Sequence, residues 1–186
     1  GDGERSMSLA IIGDYPGASL GPARVEGRRV YVEMAAEPLI FVDYAWHVYR
    51  SHFNFGLKNT GDRPLTPEVL VNGRDPAGRE LPARLFAAAS PREANHPADL
   101  PAFFDGRFRY LLRPVLAPGE SLYLANTFFR PPDGLAAGLD GLAARGGAER
   151  LVYGHSLEGR ELIAYLYRRE APAEAPLLLV TSGFHP

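Results

Sequence analysis

Cysteine is absent from the 186 residues, which excludes disulfides, thiolate metal ligands and cysteine nucleophiles and leaves the redox compartment open. Lysine is nearly absent as well: Lys58 stands beside nineteen arginines, and the formal net charge is -2. With no excess of positive charge there is no field to hold a phosphate backbone, so nucleic acid is not an expected partner. Long apolar runs are also missing. The stretch Leu9–Ile12 is too brief for the apolar segment of a signal peptide and far too short to span a bilayer. These absences lead to the expectation of a soluble, cytoplasmic protein with no membrane partner, for which a homo-oligomer stays open. No internal repeat or low-complexity run is evident.

What remains is an ordinary globular composition, 46% hydrophobic and 11% aromatic, enough to bury a core in one domain or slightly more. The first 130 residues read as β structure. Arg29-Val-Tyr-Val-Glu-Met34 alternates, residues 41–49 are rich in aromatics, and His52-Phe-Asn-Phe-Gly-Leu57 places Phe53, Phe55 and Leu57 on one face with His52 and Asn54 on the other. That pattern predicts a half-buried strand. Turn residues follow at Asn59-Thr-Gly61-Asp-Arg-Pro64 and Arg74-Asp-Pro-Ala-Gly78, bracketing a strand over residues 69–73. Prolines 91, 97 and 101 break the next segment; Arg107-Phe-Arg-Tyr-Leu-Leu-Arg-Pro-Val115 then alternates, and Ala117-Pro-Gly-Glu120 turns into a strand over 121–125. Short strands separated by turn signals at this interval predict an antiparallel β-sandwich.

The character changes after Pro132. Asp133 is suited to cap a helix in which Leu135, Leu139, Leu142 and Ala143 recur at helical spacing. Gly134, Gly138 and Gly141 each cost such a helix up to about 1 kcal/mol relative to alanine, so it is expected to lean on tertiary packing. Gly146-Gly147 ends it, and strands over 162–167 and 177–181 follow.

Several groupings invite a chemical reading. His47 and His52 with Asp43 resemble a metal cluster, yet an odd separation puts the two histidines on opposite faces of an unbroken strand. Trp46, Tyr44 and Tyr49 read as core aromatics before a ligand platform. Ser182 beside His185 lacks the Gly-x-Ser-x-Gly elbow and the long-range geometry of a serine triad. The most informative stretch is Leu177-Leu-Leu-Val-Thr-Ser-Gly-Phe-His185-Pro186, an apolar strand that delivers a histidine after small residues. A catalytic zinc keeps three protein ligands and an open position for water, two histidines and a glutamate being one known set.

Gly154-His-Ser156-Leu-Glu158-Gly159-Arg160-Glu-Leu-Ile-Ala-Tyr-Leu-Tyr167 resembles the Gly-x-Ser-x-Glu-Gly-Arg turn and first strand of the zinc metallocarboxypeptidases, the M14 peptidases. Ser121-Leu-Tyr-Leu-Ala-Asn-Thr-Phe-Phe-Arg-Pro-Pro132 is similar to the junction at which the cytosolic branch of that family passes from an N-terminal β-domain into its catalytic domain. The motif-bearing part of the resemblance covers residues 122–186. It implies a mainly β chain: an N-terminal antiparallel β-sandwich over residues 1–130, then the opening helix and strands of an incomplete α/β carboxypeptidase domain over 131–186. It also implies a zinc cofactor in the complete protein, His185 as a metal ligand and a peptide or protein C-terminus as substrate. No general base or carboxylate-binding arginine falls on a residue of this sequence. For Glu158, Gly159 and Arg160 the residues themselves argue a structural role, a left-handed glycine and a charged pair steadying a turn. The expectation is therefore the N-terminal portion of a longer hydrolase. Two other readings stand beside it: a non-catalytic β-sandwich interaction module, and a zinc deacylase of the aspartoacylase type, whose metal motif is His-x-x-Glu and against which the N-terminal β-domain and the Glu158-Gly-Arg160 turn argue.

Overall fold

The computed structural model describes residues 8–36, 40–42, 45–47, 52–73, 85–100, 102–104 and 109–167. In chain order these form β1 (Leu9–Ile12), β2 (Ala23–Glu26), β3 (Arg29–Glu33), β4 (Ile40–Val42), β5 (Ala45–His47), β6 (Asn54–Asn59) and β7 (Glu68–Asn72). There follow β8 (Phe86–Ala88), β9 (His96–Pro97), β10 (Ala102–Phe104), β11 (Arg109–Leu112), β12 (Ser121–Ala125), helix α1 (Pro132–Gly146), β13 (Glu149–His155) and β14 (Glu161–Leu166). The chain divides into two compact units, Gly1–Leu135 and Ala136–Pro186.

The first unit carries two five-stranded sheets, ordered β1-β6-β12-β8-β9 and β10-β11-β7-β3-β2, with β4 and β5 as a separate hairpin. Alternation sends one set of side chains from each sheet inward. Val30 and Val32 of β3, Val69 and Val71 of β7, Tyr110 and Leu112 of β11, Phe55 and Leu57 of β6, and Leu124 of β12 fill a single buried cluster. Phe53 meets Tyr110 of the opposite sheet edge-on, with ring centroids 5.3 Å apart. Each such side chain contributes about 1.5–3 kcal/mol by leaving water, so the sandwich is held chiefly by this layer. The expected antiparallel pairing holds throughout the described ladders of the two sheets except between β3 and β7, which run parallel with Val30 opposite Val69. A parallel neighbour requires a long crossover, and here the intervening chain contains β4, β5 and β6.

β6 departs from the half-buried strand its alternation predicts. It is hydrogen-bonded between β1 and β12, and Asn54, Phe55, Gly56 and Leu57 are all buried. The polar face is covered by aromatics: a Cβ on Gly56 would lie 2.7 Å from the Tyr123 ring, which in turn meets Tyr15 edge-on at 5.3 Å. Asn54 tolerates this burial because its Oδ1 accepts from the Tyr15 hydroxyl at 2.8 Å and its Nδ2 donates to the Gly17 carbonyl at 3.0 Å.

At α1 the helix opens on Pro132, whose missing N–H and fixed φ suit the first helical position. Asp133, expected as the cap, lies within the first turn, where its charge still favours the helix N-terminus. The C-terminus closes as expected at the glycine pair: Ala148 N–H donates to Ala143 O at 2.8 Å and Gly147 N–H to Ala144 O at 3.3 Å, the two bonds of a Schellman motif. Ala143 is buried, whereas Leu135, Leu139 and Leu142 are 47%, 40% and 55% exposed, so the leucine stripe is not the packed side of this helix among the described residues. β13 and β14 form an antiparallel hairpin with a bulge at Tyr153. β13 was not foreseen, and the strand expected over 177–181 lies outside the described residues.

Candidate functional site

The turn between β13 and β14 is the motif that the sequence singled out. Ser156 N–H donates to the Arg160 carbonyl at 2.8 Å and Gly159 N–H to the Ser156 carbonyl at 2.9 Å, while the Ser156 hydroxyl accepts from Arg160 N–H at 3.1 Å. Gly159 has φ +77°, a left-handed conformation that a side chain disfavours. Glu158 Oε2 and Arg160 Nη2 lie 2.8 Å apart with both side chains more than 70% exposed. The serine, glycine and charged pair thus hold the turn itself.

Polar ties join the helix to the hairpin within the second unit. Asp140 Oδ1 accepts from the Tyr165 hydroxyl at 2.7 Å and lies 3.3 Å from Arg150 Nε, whose Nη2 reaches Glu161 Oε2 at 2.5 Å. The hydrogen bond to Glu161 holds the Arg150 guanidinium above its usual pKa, and the bond to Asp140 raises that of the Tyr165 hydroxyl. All of these groups are solvent-accessible and engaged with one another, which suits a structural network.

The expected metal ligand, His185, lies outside the described residues, as do Ser182, Asp43, Tyr44, Tyr49 and the turn at 74–78. Trp46 and His47 fall in β5, opposite Phe41 and Ile40. His52 precedes β6, separated from β5, and its Nδ1 lies 3.2 Å from both Asn126 Oδ1 and Thr127 Oγ1. Among the described residues no group of three or more histidines, aspartates and glutamates comes close enough to hold a metal ion. No catalytic step through a metal is therefore assigned to them.

The polar residues that matter most in the first unit escaped the sequence reading. Asn54, Asn59, Asn95 and Asn126 are buried to within 5% of full burial. Each offers an amide that both donates and accepts, and each spends it on backbone of another segment or on a neighbouring side chain. Single asparagines at strand ends look like turn formers in sequence, so nothing marked these as internal stitches. Tyr15 lies in a narrow cleft with Asn54, Ser90, Glu93, Asn95, Tyr123 and Phe129. Burial, and then the neighbouring Tyr123, push its hydroxyl pKa upward.

No family model and no curated protein matches the sequence. Solved structures do match the fold. A metallo-carboxypeptidase from Burkholderia cenocepacia gives a TM-score of 0.62 at 19% identity, covering 89% of this chain and 42% of that one. A metallo-carboxypeptidase from Pseudomonas aeruginosa, in complex with (2-guanidinoethylmercapto)succinic acid, gives 0.51 at 16% identity, covering 83% of this chain and 39% of that one. The fold is carboxypeptidase-like at this coarse level, and the chain spans about two fifths of the length of the structures it matches. No described helix is long and apolar enough to cross a membrane.

Proposed function

We propose that residues 1–186 are the N-terminal portion of a zinc-dependent metallocarboxypeptidase resembling the cytosolic branch of the M14 family. In this reading residues 1–130 are a β-sandwich domain that supports the catalytic domain, and residues 131–186 begin that domain. His185 is one zinc ligand of the complete protein, the substrate is a peptide or protein C-terminus, nucleic acid and membrane are not partners, and the site of action is the cytoplasm. The observation that carries the proposal is the fold match, which extends over 89% of this chain with a metallo-carboxypeptidase. The sequence order supports it independently, since the Ser156–Arg160 turn and the strand after it precede the apolar run that delivers His185. Zinc, when bound, brings the pKa of its water near neutrality and polarises the scissile carbonyl. The contribution of this chain in this reading is one ligand, His185.

The test is zinc content and carboxypeptidase activity of the complete protein beside its His185→Ala variant. One zinc per chain and hydrolysis of C-terminal peptide bonds, both lost in the variant, are expected. A complete protein that is metal-free and inactive, and indifferent to the substitution, overturns the reading in favour of a non-catalytic module.

A further inference from the structure

The segment that leads out of the last sandwich strand, Asn126 to Phe129, has none of the Gly/Ser composition of a flexible linker. It is instead stitched to three separate parts of the first unit. From the loop before β9, Asn95 makes three hydrogen bonds to it: its backbone N–H donates to Phe129 O at 3.1 Å, its Nδ2 donates to Thr127 O at 3.0 Å, and its Oδ1 accepts from Phe129 N–H at 2.6 Å. From the start of β6, Phe53 N–H donates to Asn126 Oδ1 at 3.0 Å, Asn126 N–H donates back to Phe53 O at 3.4 Å, and His52 Nδ1 lies 3.2 Å from Asn126 Oδ1 and from Thr127 Oγ1. From the loop after β1, Gly17 has φ +88° and lies under the Phe129 ring so closely that a Cβ there would collide with it. Only Arg130 and Pro131 then separate Phe129 from the first residue of α1, and Leu135 N–H closes the first helical turn on Pro131 O at 2.9 Å.

We propose that Asn95 is a positioning residue: with Gly17 and His52 it locks Asn126–Phe129 onto the sandwich and thereby fixes where the first turn of α1 begins. A buried amide is costly unless its donors and acceptor are used, and the described side-chain bonds of Asn95 both go to this segment. It does not depend on the hydrolase reading, because every contact named lies in the first unit and no metal or substrate is involved.

The test uses the full chain and reads amide hydrogen exchange segment by segment, with chymotryptic cleavage after the exposed Phe128 as a second readout. In Asn95→Ala the Phe129 amide is expected to lose protection about tenfold or more, the scale of one stranded buried hydrogen bond, while amides of Phe55, Leu57 and Leu124 keep theirs. Asn95→Asp gives the signature that a general loss of stability does not. Its carboxylate still accepts from Phe129 N–H but faces the Thr127 carbonyl without a proton, whereas the protonated carboxyl both donates and accepts. Protection at Phe129, divided by that of the unsubstituted protein at the same pH, is expected to recover as pH falls from about 7 to about 4. That division removes the effects of the other titratable neighbours: Tyr15, Glu93 and Tyr123 in the shared cleft, His96 next in the chain, and His52 on the far side of the segment. Unchanged protection at Phe129 in Asn95→Ala, equal losses at Phe129 and in the core strands, or no acid recovery in Asn95→Asp each overturn the proposal.

Discussion

Asn59 offers the clearest quantitative test of how the sandwich closes. The residue is fully buried at the end of β6, and its amide serves three backbone groups: Nδ2 donates to Arg63 O at 2.7 Å and to Leu116 O at 3.1 Å, and Oδ1 accepts from Gly61 N–H at 2.9 Å. Replacing it by alanine does not strand all three equally. Leu116 O keeps its bond from Leu65 N–H at 2.9 Å, and Arg63 lies in an exposed turn where water can reach its carbonyl. Gly61 N–H, half-buried, is the group left without its acceptor. Stranding one such donor costs about 1–3 kcal/mol, and losing the two other bonds adds roughly 0.5–1.5 kcal/mol in total once they are partly replaced. The expected loss for Asn59→Ala is therefore about 1.5–4.5 kcal/mol, a large part of the roughly 5–15 kcal/mol that stabilises a typical domain. Asn59→Asp is expected to be worse near neutral pH. It retains the acceptor for Gly61 but turns a second oxygen, negatively charged, toward two carbonyl oxygens at a fully buried position. Urea unfolding followed by far-ultraviolet circular dichroism measures both, with the slope m unchanged. A loss below about 0.5 kcal/mol for alanine, or a milder effect for aspartate than for alanine, refutes this account of the site.

Two further expectations concern the tyrosines and the second unit. Burial holds the hydroxyls of Tyr15 and Tyr110 above the usual tyrosine pKa, so the folded protein keeps protons that the unfolded chain releases near 10.0. Stability is then complete below that pH and falls as pH rises above it; Tyr15→Phe should flatten the fall, and a stability profile level above pH 10.0 contradicts the assignment. Arg150→Ala removes the ties to Asp140 and Glu161, whose side chains are 47% and 49% exposed, so it should weaken the helix–hairpin unit only slightly. Hydrogen exchange in α1 should show that cost shrinking in roughly 1 M salt, and a salt-independent effect of the substitution counts against it.

The strands most legible in sequence were those that face the core on one side and solvent on the other. Val30 and Val32 alternate with Arg29, Tyr31 and Glu33, and β3 follows that pattern. β6 was legible as a strand but not as a strand buried on both faces, because its second cover is a pair of tyrosines from distant positions, Tyr15 and Tyr123. β2 and β9 carry little alternation, and β9 includes a proline; they exist because a neighbour supplies the hydrogen bonds, information no local pattern contains. The Ser156–Arg160 turn was read correctly down to its left-handed glycine and its ion pair, since both follow from residue type over a few positions. The buried asparagines were not legible. Their partners are on average dozens of residues away, as with Asn95 and Thr127 or Asn54 and Gly17.

The same contrast explains why the two units should carry unequal shares of the molecule's stability. The sandwich buries an aromatic and aliphatic layer drawn from both sheets, and no described buried side-chain nitrogen or oxygen in the chain is left without a hydrogen bond. In the second unit Leu139, Leu142, Val152, Tyr153, Leu157 and Tyr167 are all at least 40% exposed, and the described ties between helix and hairpin are largely polar and solvent-accessible. Apolar burial scales with the area removed from water, whereas exposed ion pairs contribute little each. A helix bearing three interior glycines cannot recover the difference from intrinsic propensity. The locked segment at Asn95 belongs to the well-packed unit, whose hydrogen-bonded order it carries as far as the first turn of α1.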